Sequence, residues 1–203
     1  ISGKTDTKIL EESKVKIWAG NTSKEYLKDH NLPYREGDMG PSYPHSWRHW
    51  GAEYEGCDKD YTGLGIDQLS QLINGIRTNP FSRRHILCNW HVGHVDQMVL
   101  PPCHILAQFN VSGDKRYLDC LMYQRSADMF LGVPFNITSY CILTYMIAHI
   151  CGLKPRRFVL TIGDAHIYNN HINVAKRMIA RTPKPFPTLT FRSPAKLQEI
   201  DDL

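Results

Sequence analysis

Between Pro134 and Gly152 apolar side chains fall on every side of a helical turn, and along 137–153 the main interruptions are Thr138, Ser139, Thr144 and His149. A helix that is apolar all round has to be covered all round, which places it at the centre of a fold. The polar interruptions suit a buried core helix better than a membrane span, because a crossing segment stays apolar over about 20 residues. Its ends are marked as well. Pro134 lies where a first turn tolerates a residue without an N–H, and Gly152 lies where a helix stops. With 42% apolar residues among 203, the chain can build one domain in layers around that helix.

The remaining elements follow from local pattern. Thr22-Ser23-Lys24-Glu25 fits a capping box, with Thr22 as the cap and Glu25 reaching back, and predicts a short helix to about Asp29. Across residues 31–65 Pro, Gly and aromatic residues are dense, which predicts long ordered loops; Tyr43, Trp47, Trp50 and Tyr54 would be out of place in a disordered linker. Leu69, Leu72, Ile73 and Ile76 recur at helical spacing after Asp67 and stop at Asn79-Pro80. Strands are predicted over 84–90, 104–111 and 116–124, the last two forming an antiparallel hairpin about Ser112-Gly113-Asp114. Residues 157–162 read as another strand, 170–181 as an amphipathic helix stopped by Pro183, and 188–191 as a short final strand. Strands grouped in the middle with helices on either side predict an α+β class. The expected architecture is a layered domain with a mixed, largely antiparallel sheet flanked by helices, one of them long, buried and central.

Charge and cysteine usage narrow the function classes. The 24 basic and 20 acidic residues are spread without a block of one sign, so DNA is not the expected partner, while a small anion held by a few arginines stays open. The six cysteines form no CxxC pair and are too sparse for a secreted mini-protein, which predicts free thiols in a reducing compartment. No signal-peptide pattern opens the chain. A soluble cytoplasmic protein is expected, with nucleus or organelle left open. The pairs His45/His49 and His91/His94 each have the spacing of half a metal site but no obvious third ligand, so no metal is expected. A glycine-rich phosphate loop and a dinucleotide fingerprint are both missing from the sequence.

Candidate chemistry concentrates in the second half. Cys103 follows Pro101-Pro102 at the mouth of a predicted strand, where two prolines stiffen the backbone presenting the thiol. Locally this fits a buried structural cysteine better than a nucleophile. His104 cannot form a dyad with it, since adjacent strand residues face opposite ways. A cation would be needed to favour the thiolate, and Arg125, at the end of the strand paired with that of Cys103, is the best candidate. Gln124-Arg125-Ser126-Ala127-Asp128 is a dense polar cluster suited to a phosphate or polar ring, or equally a solvated loop. Asn136, near the start of the central helix, carries an amide that could read a base edge or merely bond to nearby backbone. Arg83-Arg84 suits phosphate binding or simple solvation. In Asp164-Ala165-His166-Ile167-Tyr168 the alternation puts His166 and Tyr168 on one face, where two donors could hold a sugar hydroxyl.

These motifs together resemble the thymidylate synthases. The resemblance is carried by Pro101-Pro102-Cys103-His104, Gln124-Arg125-Ser126-Ala127-Asp128, Leu131-Gly132-Val133-Pro134-Phe135-Asn136, Gly163-Asp164-Ala165-His166-Ile167-Tyr168-Asn169-Asn170-His171 and Pro185-Phe186-Pro187. Upstream it continues through Ser82-Arg83-Arg84, Trp47-Arg48-His49 and Gly51-Ala52-Glu53-Tyr54, so it covers nearly the whole chain.

The resemblance implies reductive methylation of dUMP to dTMP, with 5,10-methylenetetrahydrofolate as co-substrate supplying both carbon and hydride and no metal. It implies that Cys103 attacks uracil C6, making C5 a nucleophile. By the same resemblance Arg125 and Ser126 hold the phosphate, and Arg125 favours the thiolate. Asn136 reads the uracil edge with Gln124 organising it, and His166 and Tyr168 hold the deoxyribose 3′-hydroxyl, with Ala127 and Ile167 beside them. Tyr43 stands near the site of C5 proton removal. Asp128, Gly132, Ile17 and Trp18 belong to the folate pocket. Arg83 and Arg84 act across a homodimer on the partner's phosphate. Membrane and DNA partners are not implied, and the sequence gives no support for RNA. Tyr43-Pro44 departs from the family's usual Tyr-Gly. The segment 1–203 reads as a single domain that lacks the family's amino-terminal segment and its carboxy-terminal strand and tail. Two alternatives keep the same scaffold: a catalytically incomplete nucleotide-binding or dimerising module, and a pyrimidine hydroxymethylase, which would carry aspartate where this chain has Asn136.

Overall fold

The computed structural model describes residues 1–192 and 198–202. They form two compact units, one of residues 1–74 and 86–102, the other of residues 75–85 and those from 103 onward.

The first unit holds α1 (Lys8–Glu12), α2 (Lys24–Asp29), α3 (Tyr43–Arg48), most of α4 (Gln68–Thr78) and β1 (Ile86–Cys88). The cap of α2 is Ser23 rather than Thr22: the Ser23 hydroxyl accepts from the Tyr26 N–H at 3.2 Å, while the Thr22 hydroxyl donates to the Trp18 carbonyl at 3.0 Å. The stretch predicted as loops contains α3, whose first turn carries Pro44, a position that needs no N–H and benefits from a fixed φ. The buried Asp38 carboxylate organises the loops around it by accepting from the Tyr54 hydroxyl at 2.6 Å, the Gly40 N–H at 2.8 Å and the Cys57 N–H at 2.8 Å. Three bonds of this kind compensate the cost of taking a carboxylate out of water. α4 forms as its spacing predicts. Asp67 accepts from the Ser70 N–H at 2.9 Å at its start, and Leu69, Leu72, Ile73 and Ile76 are all at most 4% exposed. β1 is shorter than predicted, three residues instead of seven.

The second unit is built on β2 (His104–Val111), β3 (Tyr117–Asp128), α5 (Gly132–Ile150), β4 (Lys154–His166) and α6 (Ile172–Ile179). β2 and β3 are the predicted antiparallel hairpin, with Ala107 opposite Met122 and Phe109 opposite Cys120. β4 lies parallel to β3 along its full length, from Tyr117 opposite Lys154 to Asp128 opposite His166, so the sheet is mixed. A parallel neighbour requires a crossover, and α5 provides it, packing on both β3 and β4. Val133, Tyr140, Leu143, Ile147, Ala148 and Ile150 are buried along α5, whereas Phe135, Ile137, Ile142 and Tyr145 are 39–55% exposed. Gly152 ends the helix at φ +69°, a conformation open to glycine at little cost. Two corrections concern extent. β3 runs on through Asp128 instead of ending at Gln124, and β4 spans thirteen residues. The strand predicted at 188–191 does not form, because a short β-branched run without a pairing partner has nothing to hold it extended.

Candidate active site

The hairpin sets Cys103 against Arg125. Cys103 lies just before β2, half-buried, and its carbonyl accepts the Arg125 N–H at 2.8 Å. This bond continues the ladder one step past His104 opposite Gln124, so the thiol and the guanidinium are carried on directly facing backbone. Burial pushes the Cys103 thiol up, and the Arg125 charge opposes that shift without cancelling it. The thiol therefore rests protonated, and Arg125 is the cation that lowers the cost of ionising it. Other cysteines, Cys57, Cys120, Cys141 and Cys151, are also raised by burial; Cys57 and Cys151 have Arg35 and Arg77 nearby as well, but carboxylates beside them oppose those charges, whereas Arg125 acts on Cys103 without such opposition. His104 is held elsewhere: its Nδ1 and the Tyr140 hydroxyl are 2.8 Å apart, and burial lowers its pKa to about 3, which keeps it neutral.

Because β3 stays extended through Asp128, Gln124, Ser126 and Asp128 alternate onto one face. The Gln124 side chain is 1% exposed and its Nε2 donates both to the Ser126 carbonyl at 2.9 Å and to Asn136 Oδ1 at 3.0 Å. The second bond fixes the Asn136 amide, with Oδ1 turned toward Gln124 and the amide's own donors left for something else. Gln124 Oε1 has no partner in this structure. Asp128 Oδ1 accepts from the Phe130 and Leu131 N–H groups at 3.1 and 3.3 Å, which holds the turn that starts α5. Gly132 lies between Asp128 and Asn136: a Cβ there would be 3.3 Å from Asp128 Cβ and 3.6 Å from Asn136 Oδ1. A side chain at that position would fill the space between the two polar groups. Ala127 points the other way and is fully buried.

The parallel strand brings the last group in. Asp164 is the register partner of Ser126, and His166 that of Asp128. The Met129 N–H donates to the His166 carbonyl at 2.9 Å. The His166 ring meets Asp164 Oδ1 through Nδ1 at 2.8 Å and the Tyr168 ring edge-on at 5.3 Å. Ile167 and Tyr168 are 43% and 54% exposed. Thus Cys103, Gln124, Arg125, Ser126, Asp128, Gly132, Asn136, His166 and Tyr168 all belong to one unit, gathered at the ends of β3, β4 and the start of α5. Arg83 and Arg84 are exposed on the loop between α4 and β1. Tyr43, Ile17 and Trp18 belong to the first unit, where the Trp18 and Tyr43 rings lie 6.4 Å apart and Ile17 is 54% exposed. The histidine pairs 45/49 and 91/94 do come together there, yet among the described residues no group of three or more donors could hold a metal ion.

A thymidylate synthase family model matches residues 1–203. The chain belongs to the thymidylate synthase family. It is 50% identical over 210 aligned residues to the thymidylate synthase of Saccharomyces cerevisiae, covering all of this chain and 68% of that protein. Human thymidylate synthase is 52% identical over 203 residues, with 100% of this chain and 64% of that protein covered. The bifunctional dihydrofolate reductase-thymidylate synthase of Zea mays is 52% identical over 202 residues, covering 99% of this chain and 38% of that protein. The chain thus spans about two thirds of its monofunctional relatives. Thymidylate synthases are methyltransferases acting on dUMP with a reduced folate. Sequence reading missed two contacts that shape the cluster around Cys103, Asp164 with His166 and His104 with Tyr140. Only the alternation along 164–168 hinted at the first, and nothing local signalled the second.

Proposed function

We propose that this chain methylates dUMP to dTMP reductively, with 5,10-methylenetetrahydrofolate as donor of the one-carbon unit and the hydride. The observation that carries the reading is the bond from Gln124 Nε2 to Asn136 Oδ1. With Oδ1 accepting from Gln124, the Asn136 amide offers donors from Nδ2 and one remaining lone pair on Oδ1. Uracil presents an acceptor at O4 beside a donor at N3–H, which fits that orientation; cytosine presents the reverse pattern and would need the amide turned over. A pinned asparagine thus favours uracil, and with it methylation over hydroxymethylation of a cytosine nucleotide.

In this reading the Cys103 thiolate adds to C6, and the electrons of the C5–C6 double bond move toward C5 and O4, where the Asn136 donors stabilise the developing charge. C5 then takes the one-carbon unit and loses its proton; the tetrahydrofolate nitrogen leaves that carbon as an exocyclic methylene forms, and hydride from the tetrahydrofolate reduces the methylene to methyl as the thiolate departs and the C5–C6 double bond re-forms, giving dTMP and dihydrofolate. Arg125 serves twice, favouring the thiolate from the facing strand and holding the nucleotide phosphate with Ser126. The phosphate would in turn reduce the net positive charge beside the thiol. His166 and Tyr168 hold the sugar hydroxyl, and Asp128 meets the folate. The exposure of Arg83 and Arg84 suits their use on the phosphate of a second protomer.

Release of the C5 hydrogen to water from 5-tritiated dUMP, dependent on the folate, tests the reading. Release with dUMP and its loss in Cys103→Ser is the expected result; no release from a folded chain supplied with both substrates would overturn it.

A further inference from the structure

Asp164 has no part in the chemistry described so far, yet it governs the hydrogen-bonding character of a residue that does. A carboxylate only accepts, so at 2.8 Å from Asp164 Oδ1 the His166 Nδ1 must carry the proton. In the neutral ring the other nitrogen, Nε2, is then an acceptor. The geometry leaves the ring little freedom to change roles. Asp164 and His166 stand two residues apart on the same face of β4, their backbones are registered against Ser126 and Asp128, and the Met129 N–H bonds the His166 carbonyl. The Tyr168 ring packs edge-on against the imidazole at 77°. Nε2 is the polar atom that remains for a ligand, on a side chain still 31% exposed.

We propose that Asp164 is a positioning residue that fixes His166 as the Nε2-acceptor tautomer and thereby makes the site select nucleotides whose 3′ substituent can donate a hydrogen bond. The proposal rests on the reading of the site as a dUMP site. An acceptor at Nε2 takes the hydroxyl's proton, and the Tyr168 hydroxyl supplies a donor to the same oxygen, so a 3′-hydroxyl satisfies both while a 3′-hydrogen satisfies neither. Asparagine at 164 keeps the shape but removes the constraint, since an amide can accept from Nδ1–H or donate to bare Nδ1, and the second choice turns Nε2 into a donor. Asp164 is 74% exposed, and exposed pairs contribute little to folding, so Asp164→Asn leaves the fold in place.

The experiment is calorimetric binding of dUMP and of 2′,3′-dideoxyuridine 5′-monophosphate at pH 8 to the wild type, Asp164→Asn and Asp164→Glu. The wild type should prefer dUMP by roughly threefold to tenfold, the worth of one or two neutral hydrogen bonds. Asp164→Asn should lose most of that preference by weakening dUMP alone, and Asp164→Glu should restore part of it. An undiminished preference in Asp164→Asn, equal weakening of both nucleotides, or a wild type that does not distinguish them would each overturn the positioning role. A folded wild type that binds neither nucleotide would instead overturn the dUMP reading beneath it.

Discussion

Replacing Gln124 by leucine removes the donor that joins β3 to α5 while keeping a similar volume at a position 1% exposed. Two bonds are lost, to the Ser126 carbonyl at 2.9 Å and to Asn136 Oδ1 at 3.0 Å. Each is worth about 1 kcal/mol net, and leaving its acceptor unpaired in a part-buried setting adds to the loss, so the two together cost about 2–3 kcal/mol. Against this, Gln124 Oε1 is already unpaired and buried; removing it returns about 1 kcal/mol. The balance is a destabilisation of about 1–2 kcal/mol, which for a chain of this size lowers Tm by about 2–8 °C. The larger signature is in recognition. Once Asn136 can turn its amide over, discrimination between dUMP and dCMP should fall, with dUMP binding weakened by about tenfold and dCMP not weakened. Thermal unfolding and calorimetric titration of the two nucleotides measure both effects. A Gln124→Leu protein with wild-type stability and wild-type discrimination would show that the amide of Asn136 is not held by Gln124, and the uracil argument would lose its basis.

Asn136→Asp should move preference toward dCMP, because a carboxylate accepts where the amide donated; competition binding with dUMP and dCMP checks the direction. Mixing Arg84→Ala chains with Cys103→Ser chains should restore part of the activity lost in each alone if the arginine acts on a second protomer, and no recovery from heterodimers shown to form would refute donation in trans. Stability should fall as the pH drops below about 6.5. The folded pKa of His45 is lowered to about 4 and that of His104 to about 3, in both cases chiefly by burial. Both rings therefore stay neutral in the fold while the unfolded chain takes up protons, and each contributes a loss of roughly 2 kcal/mol by pH 5. His45 makes the point separable. Its Nε2 donates to the Ala52 carbonyl at 3.1 Å, its Nδ1 is buried without a partner, and it sits edge-on to Tyr54 and Tyr61. In His45→Phe the difference in Tm between pH 7.5 and pH 5 should shrink; an unchanged difference would mean that His45 is not held neutral.

Much of the second unit was legible because its signals are local. The hairpin follows from alternation on both sides of Ser112-Gly113-Asp114, and α5 from Pro134, Gly152 and the apolar turns between them. The extent of β3 was not legible, since Gln124 to Asp128 carries the polarity of a loop and stays extended only because β4 pairs with it as far as His166. That pairing joins residues nearly forty positions apart in sequence, and no pattern within either strand specifies a parallel partner. The cap of α2 shows the limit at the smallest scale: Thr22 and Ser23 are adjacent hydroxyls, and the contact of Thr22 with the Trp18 carbonyl decides between them. For the site, residue types and their order in the chain named the members, whereas orientation came only from structure. The sequence puts an amide at Asn136 and an imidazole at His166, but Gln124 and Asp164 determine which of their atoms donate and which accept.

Incubation of the purified chain with 5-fluoro-dUMP and 5,10-methylenetetrahydrofolate, followed by intact-mass measurement and peptide mapping, tests the central claim most directly, because fluorine at C5 cannot leave as a proton and the covalent complex is held. The account predicts a single adduct on Cys103 carrying both nucleotide and folate, and none in Cys103→Ser. A folded chain that forms no adduct, or forms it on another cysteine, would contradict it.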